Sequence, residues 1–416
     1  MTINLGMMAA AAVFAVSPAL ADDEKSAGRI AKWDAAPVFK GDGWEFKVGG
    51  RMQFDYAFAD ADVADINWSA GELRRLRLGI SGKFGDNVKY KFELNTDSSG
   101  DVNLEDGYVQ WSPTGGAWNI KGGQFKTPNS LDEQTSSRFI SVLERSAFTD
   151  AFQFNRRLGV SLNTKSDNYT LSAGVFGDNV NVMSQQEGYA LAARGTFSPA
   201  IGPENMRAHF GASIRYRTIG DTQGDIRYRQ RPVTHIPGRI ISTGAIAESD
   251  LFVGGEAAII IKNFWAAGEY GASFADCSAA AMAATTCVDG PTLTGAYAEV
   301  GVFFGGMKGY KDGKFNRPKV DNPVTKGGTG AISFVARFDT IDLTDNGVNG
   351  GSYDSYILGA DWWPVKYVRL GINYFNVDAD LGSSTSGLDS NFAALVTAGA
   401  PVEDVEGVIL RAQFDF

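Results

Sequence analysis

The last residues of the chain, GVILRAQFDF, alternate between apolar and polar side chains until the chain ends. A period of two residues is typical of a β-strand whose two faces meet different surroundings. One face ends on two aromatic rings, Phe414 and Phe416, and the other carries Arg411, Gln413 and Asp415. Because the apolar face continues to the last residue, we expect this strand to lie against an apolar medium.

The same alternation recurs along most of the chain. It is longest in WEFKVGGRMQFDYAF, residues 44–58, which exceeds the usual strand of a soluble protein. A tilted membrane strand needs about ten residues, whereas a membrane helix needs roughly 20 apolar ones, and no run beyond the N-terminus approaches that length. Shorter alternating stretches lie at 75–81, 88–94, 157–163, 209–217, 251–262, 332–338 and 368–374.

These strands predict an all-β fold, a transmembrane antiparallel β-barrel in which lipid-facing and lumen-facing side chains alternate. A soluble β-sandwich is the alternative, and the length and continuity of the alternation argue against it. No linker or change in composition divides residues 42–416, so we predict one barrel domain over that range. Residues 22–41 are expected to form a short periplasmic lead-in.

The N-terminus has the pattern of a signal peptide. An apolar stretch covers Leu5–Val16, and Ala19-Leu20-Ala21 fits a small-residue cleavage site. No Lys or Arg precedes the apolar stretch, which departs from the usual pattern, and a buried helix is the alternative. We expect residues 1–21 to be removed during export from a bacterial cytoplasm.

Two cysteines, Cys277 and Cys287, flank the small-residue stretch SAAAMAATT. In an oxidising compartment they can form a disulfide that closes a loop, and two free thiols are the alternative. A zinc site would need further Cys or His ligands nearby, and the chain has 2 His in all. We therefore predict the disulfide, with no metal and no other cofactor.

In a membrane barrel the polar face lines the lumen, and here that face is rich in Arg and Lys. A water-filled pore ringed with fixed cations favours anions, and a planar guanidinium donates two hydrogen bonds at once to an oxyanion. For any single Arg, pairing with an acid across the strands is an equal alternative. Because the formal net charge is −10, we expect the acids mostly in loops. The cations predicted to face the lumen are Arg51, Arg75, Arg77, Lys89, Lys91, Arg157, Arg215, Arg217, Lys262, Arg337, Arg369 and Arg411.

Two stretches lack sustained alternation. The first, Lys126–Arg157, is too long for a turn, and we predict that it folds inward and narrows the lumen. It presents Lys126, Arg138 and Arg145 to the pore. The second stretch, DIRYRQRPVTHIPGR, carries Arg227, Arg229, Arg231 and Arg239 and is a candidate to line the pore. A solvated basic loop without a role in the pore is the alternative for this stretch.

From KVGGRMQFDY to the terminal LRAQFDF, the chain resembles the phosphate-selective porins O and P. The resemblance implies a trimeric barrel of about 16 strands in the bacterial outer membrane. It also implies an Arg ladder that leads anions to a constriction, and Lys residues that draw them towards the periplasm. Phosphate, pyrophosphate or polyphosphate would be the permeating anion. The other matching stretches are ELRRLRLGISG, LEDGYVQW, GGQFKTP, TSSRFISVLERSAF, FWAAGEY, GAISFVARFDTIDL and LGADWWPVKYVRLGINY.

The resemblance also assigns roles to particular residues. The family keeps a carboxylate beside the anion, which here is Glu105 or Asp106, and Arg77 adds a cation where the family has Tyr. Arg74 has the parity of the lipid-facing side, so we expect a strand end or a bulge beside it. The residues on ladder or constriction positions are Arg51, Arg74, Arg75, Arg138 and Arg145. The residues that resemble the outer ladder are Arg227, Arg229, Arg231 and Arg239.

Two other functions compete with an anion porin. A sugar porin would need aromatic side chains along the lumen wall, and Trp265 has that orientation without an aromatic ladder around it. An enzyme would need a base beside a nucleophile, and neither His209 nor His235 lies near a recognisable Ser motif. We therefore predict an outer-membrane anion porin in contact with lipid and lipopolysaccharide, and no nucleic-acid partner. A general porin without phosphate selectivity is the alternative.

Overall fold

The structure is a computed structural model that describes residues 29–33, 35–182, 186–203, 206–220, 223–400 and 402–416. The predicted signal peptide, residues 1–21, lies outside the described residues. Within the predicted lead-in, strands β1 (Arg29–Trp33) and β2 (Pro37–Gly41) pair with each other. Strand β2 also pairs with β3 (Trp44–Ala61), so the lead-in extends the sheet at one end of the barrel.

The described chain forms a closed antiparallel barrel of 16 strands, which confirms the predicted fold class. Each strand bonds to the barrel strands before and after it in the sequence. The barrel strands are β3, β4 (Ile66–Phe84), β5 (Val88–Thr96), β6 (Asn103–Trp111), β7 (Trp118–Lys126), β8 (Arg156–Lys165), β9 (Tyr169–Phe176), β10 (Ala190–Phe197), β11 (Arg207–Thr218), β13 (Ile241–Ile261), β14 (Phe264–Cys277), β15 (Thr292–Phe304), β18 (Ala331–Asp345), β19 (Val348–Val365), β20 (Val368–Asp380) and β21 (Val402–Asp415). The other elements are β12 (Ile226–Gln230), β16 (Gly306–Lys311), β17 (Lys314–Val320), α1 (Leu131–Gln134), α2 (Ala147–Ala151), α3 (Ala279–Ala283), α4 (Ser390–Ala398) and a 3-10 turn (Val324–Lys326).

Side chains of the barrel strands alternate between the lumen and the outside. On β3 the outward Phe54 and Phe58 are 52% and 48% exposed, whereas the inward Gln53 and Asp55 are buried. This inverts the arrangement of a soluble protein, and an apolar exterior of this kind faces lipid. Among the described residues, no helix reaches the length and hydropathy needed to cross a membrane.

The barrel closes where the last strand meets the first. Strand β21 pairs with β3 from Val405 opposite Ala61 to Asp415 opposite Arg51. The backbone of Phe416 then exchanges hydrogen bonds of 3.0 and 3.1 Å with Gly50. Closure matters because each unpaired amide at a strand edge in lipid costs several kcal/mol.

The two ends of the barrel differ in their connections. The end that holds the start of β3 and the end of β21 has tight turns, such as residues 262–263 and 366–367. The opposite end carries most of the long connections, including residues 127–155, 219–240 and 381–401, whereas the tight-turn end has one long connection, residues 305–330. In outer-membrane barrels the tight turns are periplasmic and the long loops are external, so we call these the periplasmic and the external end.

The connection between β7 and β8, residues 127–155, folds into the barrel as predicted, and we call it the constriction segment. Wall residues hold its backbone. Glu269 accepts hydrogen bonds from the amides of Leu131 and Asp132 at 2.8 and 2.7 Å, and Asn373 accepts one from Leu143 at 2.7 Å. Because these polar contacts come from two separate strands of the wall, β14 and β20, they fix the position of the segment in the lumen.

A second segment enters the lumen from the periplasmic end, which the sequence analysis did not predict. Strands β16 and β17 form a hairpin, residues 306–320, that we call the inner hairpin. Lys308 Nζ donates to Ser141 Oγ of the constriction segment at 2.6 Å. Towards strands β10 and β11 of the wall, the Tyr310 hydroxyl lies 2.6 Å from His209 Nδ1, and Arg194 donates to the Gly313 carbonyl at 2.7 Å. The inner hairpin therefore spans the pore below the constriction segment.

The external end is tied locally by a disulfide. Cys277 at the end of β14 is bonded to Cys287, with an S–S distance of 2.04 Å. The bond closes the connection that contains α3, where the Ser278 side chain caps the helix by accepting from the Ala281 amide at 3.1 Å. Both cysteines are buried although neighbouring Met282 and Val288 are exposed.

Candidate functional site

The lumen contains a cavity of about 840 Å³, bounded by the wall, the constriction segment, β12 and the inner hairpin. Its lining is dominated by charged side chains of both signs. The predicted site residues that the structure brings to this cavity are Arg51, Arg74, Arg75, Arg77, Glu105, Asp106, Lys126, Arg138, Arg145, Arg229, Arg231 and Arg239.

A β-bulge explains how two successive arginines of β4 reach the same space. Gln53 of β3 lies opposite Arg75, but the next residue, Phe54, lies opposite Leu73, so Arg74 is an extra residue in the ladder. A bulge of this kind locally breaks the alternation and re-aims a side chain. Arg74 thus enters the lumen despite its lipid-facing parity, as the sequence analysis expected.

A cluster of three arginines surrounds one carboxylate of the constriction segment. Arg74 donates from Nε and Nη2 to the two oxygens of Glu144 at 2.8 and 2.9 Å. Arg411 Nη2 donates to Glu144 Oε1 at 2.6 Å, and Arg75 Nη2 lies 3.6 Å from Glu144 Oε2. Arg411 is also bound by Asp55, at 2.7 and 2.5 Å. The cations of this cluster are therefore largely compensated.

A second cluster joins the predicted carboxylates to wall cations. Arg77 Nη2 donates to Glu105 Oε1 at 2.6 Å. Arg156 lies between both acids, 2.5 Å from Glu105 Oε2 and 2.7 Å from Asp106 Oδ1. Lys91 Nζ completes the cluster 2.5 Å from Asp106 Oδ2. Both Glu105 and Asp106 thus lie at the cavity, each bound to two cations.

Arg51 and Arg138 are two cations near the constriction that have no carboxylate closer than 3.5 Å. Arg51 Nη1 donates to Ser137 Oγ at 2.6 Å, and its nearest carboxylate, Glu93, is 3.5 Å away. Arg138 lies 3.5 Å from Asp415, and its side chain is 22% exposed. Arg51 Nε is buried without a hydrogen-bond partner in the described structure. The partly exposed guanidinium of Arg138 and the Ser137 hydroxyl both line the cavity and are donors from which an oxyanion can accept hydrogen bonds.

Lys126 and Arg145 also reach the cavity but are held by the constriction segment itself. Lys126 Nζ lies 3.3 Å from Glu133 Oε1, and Arg145 Nε lies 3.1 Å from Glu133 Oε2. Arg145 also donates to the Thr135 carbonyl at 2.9 Å. These two cations mainly brace the segment around α1.

The predicted outer ladder lies on and beside β12, above the constriction segment. Arg239 pairs with Asp150, and Arg231 donates to the carbonyls of His235 and Pro237 at 3.3 and 3.0 Å. Within the described ranges, no carboxylate lies at ion-pair distance from Arg227, Arg229 or Arg231. Burial and the neighbouring charge of Arg239 lower the pKa of Arg229 and Arg231. An anion beside them would relieve that repulsion.

Arg157, predicted as a pore cation, does not line the cavity. Its Nη1 lies 2.7 Å from Asp178 of the following external connection. Its neighbour Arg156 takes the place at the cavity, because it lies at the very start of β8, where the chain leaves the constriction segment. The alternation along β8 therefore predicted Arg157 as the cavity residue, whereas the structure places Arg156 there.

The expectation that the acids lie mostly in loops was wrong. Wall aspartates pair with buried arginines: Asp250 lies 2.7 Å from Arg217, and Asp361 lies 2.7 Å from Arg369. Removing a charge from water costs several kcal/mol unless a partner compensates it, so arginines covered by the constriction segment need acids beside them. Lys262, also predicted to face the lumen, lies in the tight turn between β13 and β14.

Several residues of the cavity escaped the sequence analysis. Glu144 and Arg156 are adjacent to predicted residues, but their partners are distant in sequence. Lys121 and Lys314 line the periplasmic side of the cavity, and Lys121 Nζ lies 4.9 Å from the ring centres of Tyr108 and Phe125. Alternation along β7 could have identified Lys121 as a lumen residue, whereas no local pattern predicts that Lys314 enters the lumen on a hairpin.

The family model for phosphate-selective porin O and P matches residues 46–416. An uncharacterized protein of Caulobacter vibrioides is 34% identical over 388 residues, which cover 89% of this chain and 76% of that protein. Porin O of Pseudomonas aeruginosa is 24% identical over an alignment of 474 residues that covers 99% of both chains.

Solved structures show the same fold at low sequence identity. The anion-selective porin from Comamonas acidovorans aligns with a TM-score of 0.57 and 13% identity, covering 90% of this chain and 100% of that one. OmpT of Vibrio cholerae aligns with a TM-score of 0.55 and 9% identity, covering 91% and 100%. Both similarities concern the architecture of the barrel.

Proposed function

The chain belongs to the family of phosphate-selective porins O and P and is a bacterial outer-membrane porin, and from this premise we propose that its pore selects anions, with phosphate and related oxyanions as preferred ligands. Phosphate would bind at the constriction between Arg51, Ser137 and Arg138. The observation that supports this site is that Arg51 and Arg138 have no carboxylate closer than 3.5 Å. By contrast, a carboxylate oxygen lies at 2.5–2.8 Å from each of Arg74, Arg77, Arg156 and Arg411.

The chemistry of this constriction suits an oxyanion. Two guanidiniums and a hydroxyl can donate several charge-assisted hydrogen bonds to phosphate, which has more acceptor oxygens and more charge than chloride has. The binding must remain weak enough for release, and several moderate sites along the path serve this need better than one tight site.

The path on either side of the constriction also carries cations. Arg227, Arg229 and Arg231 would attract anions at the external end. Lys121 and Lys314 would receive them on the periplasmic side, and the described residues include no carboxylate within ion-pair distance of either one. A series of cations along the path lets an anion pass from one site to the next, because each site binds it with a similar, moderate affinity.

Phosphate block of the chloride current tests this proposal. With the purified porin in a planar bilayer at pH 7, millimolar phosphate is expected to reduce the chloride current in a saturable manner. Sulfate should block less at equal concentration, because it offers no proton donor to Glu105 or Asp106. A current that is indifferent to phosphate would contradict phosphate selectivity.

A general porin is the second candidate, and the extent of ion pairing favours it. Most lumen cations other than Arg51 and Arg138 are compensated by acids, so the field along the pore is weaker than the number of arginines implies. Liposome swelling separates the two functions. A general porin admits neutral sugars of about the size of glucose, whereas the pore proposed here excludes them.

We also propose that three copies associate in the membrane and contact lipopolysaccharide in the outer leaflet. The apolar exterior of the barrel supports contact with lipid, and the family resemblance supports the trimer. Electrophoresis of unheated and heated samples after extraction in a mild detergent measures the assembly, and a single barrel before heating would contradict it.

A further inference from the structure

One carboxylate lies where a permeating oxyanion would be expected, between the arginines of the bulge. Glu144 belongs to the constriction segment, whereas Arg74 and Arg75 belong to β4 and Arg411 belongs to β21. We propose that Glu144 is a specificity-determining residue that stands in for the anion in this cluster and lowers the affinity of the pore for phosphate. The inference rests on the proposed function, because it concerns the affinity of the same lumen for anions.

The geometry is that of a bound oxyanion. Arg74 grips both oxygens of Glu144 through Nε and Nη2, at 2.8 and 2.9 Å, which is the bidentate arrangement that guanidinium makes with carboxylate and phosphate alike. Arg411 adds a third hydrogen bond at 2.6 Å. The donors that would otherwise face an incoming phosphate are therefore occupied by a group of the protein.

Glu144 carries its charge continuously. Burial alone would raise its pKa, but the positive charges of Arg74, Arg75 and Arg411 outweigh burial and hold the pKa well below its ordinary value. Because the pKa is depressed, the carboxylate is lost only when the pH falls below the usual range of a glutamate. Glu144 thus competes with phosphate at every pH near neutrality.

The Arg74 cluster, which holds Glu144, differs as an anion site from Arg51 and Arg138. These two cations have no carboxylate closer than 3.5 Å, so phosphate would bind beside them, while the Arg74 cluster attracts anions without holding them tightly. If Glu144 loses its charge, Arg74 and Arg75 become available beside the constriction, and the pore gains a second strong site. Tighter binding slows release, so the chloride current should become easier to block.

Glu144→Gln tests the inference, because glutamine keeps the shape and removes the charge. Charge-assisted hydrogen bonds from the freed Arg74 and Arg75 to phosphate are expected to lower the half-blocking phosphate concentration at least about tenfold. Glu144→Asp keeps the charge and should stay close to the wild-type value. Glu144→Ser is a second neutral variant. It can be measured if Glu144→Gln does not insert into the membrane.

Glu299→Gln is the matched control. Glu299 contacts the constriction segment through the Ser141 hydroxyl, but it does not line the cavity. The Glu299→Gln variant should therefore show the same half-blocking phosphate concentration as the wild type. If Glu144→Gln and Glu144→Ser retain wild-type block, or if Glu144→Asp shows the same gain as Glu144→Gln, the inference is wrong. A wild-type pore that phosphate does not block at all contradicts the proposed function instead, so the two failures are distinguishable.

Discussion

Replacing Arg51 and Arg138 together with glutamine is expected to abolish the anion selectivity of the pore. Each guanidinium would make charge-assisted hydrogen bonds to phosphate, worth about 1.5–3 kcal/mol each. Loss of both should raise the half-blocking phosphate concentration about 100-fold or more, and should move the reversal potential in a KCl gradient towards zero. Single-channel recording of the double variant beside the wild type measures both quantities.

A control with the same change in charge separates local from general effects. Arg157 and Arg207 do not line the cavity, so the variant with glutamine at both positions should keep phosphate block. Equal losses in both double variants would show that net charge, and not the constriction, determines selectivity. Replacing Arg145 with glutamine should have a smaller effect, because Glu133 already compensates this cation at 3.1 Å.

Deleting the inner hairpin is expected to widen the pore. If residues 306–320 are replaced by a short turn between β15 and β18, the lumen below the constriction segment should open, and the single-channel conductance should rise several-fold. Lys314 is lost with the hairpin, so the selectivity for anions should fall at the same time. Conductance and reversal potential, recorded on the same channels, report the two effects separately.

A milder variant keeps this prediction testable if the deletion prevents insertion. Lys308→Met with Tyr310→Phe removes the contacts to Ser141 and His209 that fix the inner hairpin. We expect brief transitions to a larger conductance, because the hairpin would leave and re-enter the lumen. A pore of wild-type conductance after the full deletion would contradict the position of the hairpin in the ion path.

The sequence predicted the barrel and its closure because both depend on the alternation of side chains along single strands. The terminal aromatic residues are an example: their parity places Phe414 outside and Arg411 inside without knowledge of any neighbour. Arg74 shows that a local violation is also informative, since its wrong parity predicted an irregularity that the structure reveals as a bulge.

The candidate site was only partly predictable, because it depends on pairs that are distant in sequence. Parity assigns a side chain to the lumen but does not reveal which acid lies beside it across the barrel. Arg411 and Glu144 are separated by 267 residues, yet their side chains are 2.6 Å apart. For the same reason the sequence overestimated the free positive charge of the lumen and gave no indication of the inner hairpin.

The reversal potential of the wild-type pore in a tenfold KCl gradient tests most directly whether this lumen selects anions. A reversal potential of the sign expected for chloride permeation, which moves towards zero when Arg51 and Arg138 are replaced by glutamine, is the predicted result. A reversal potential at zero, or one of the sign expected for potassium permeation, would contradict it.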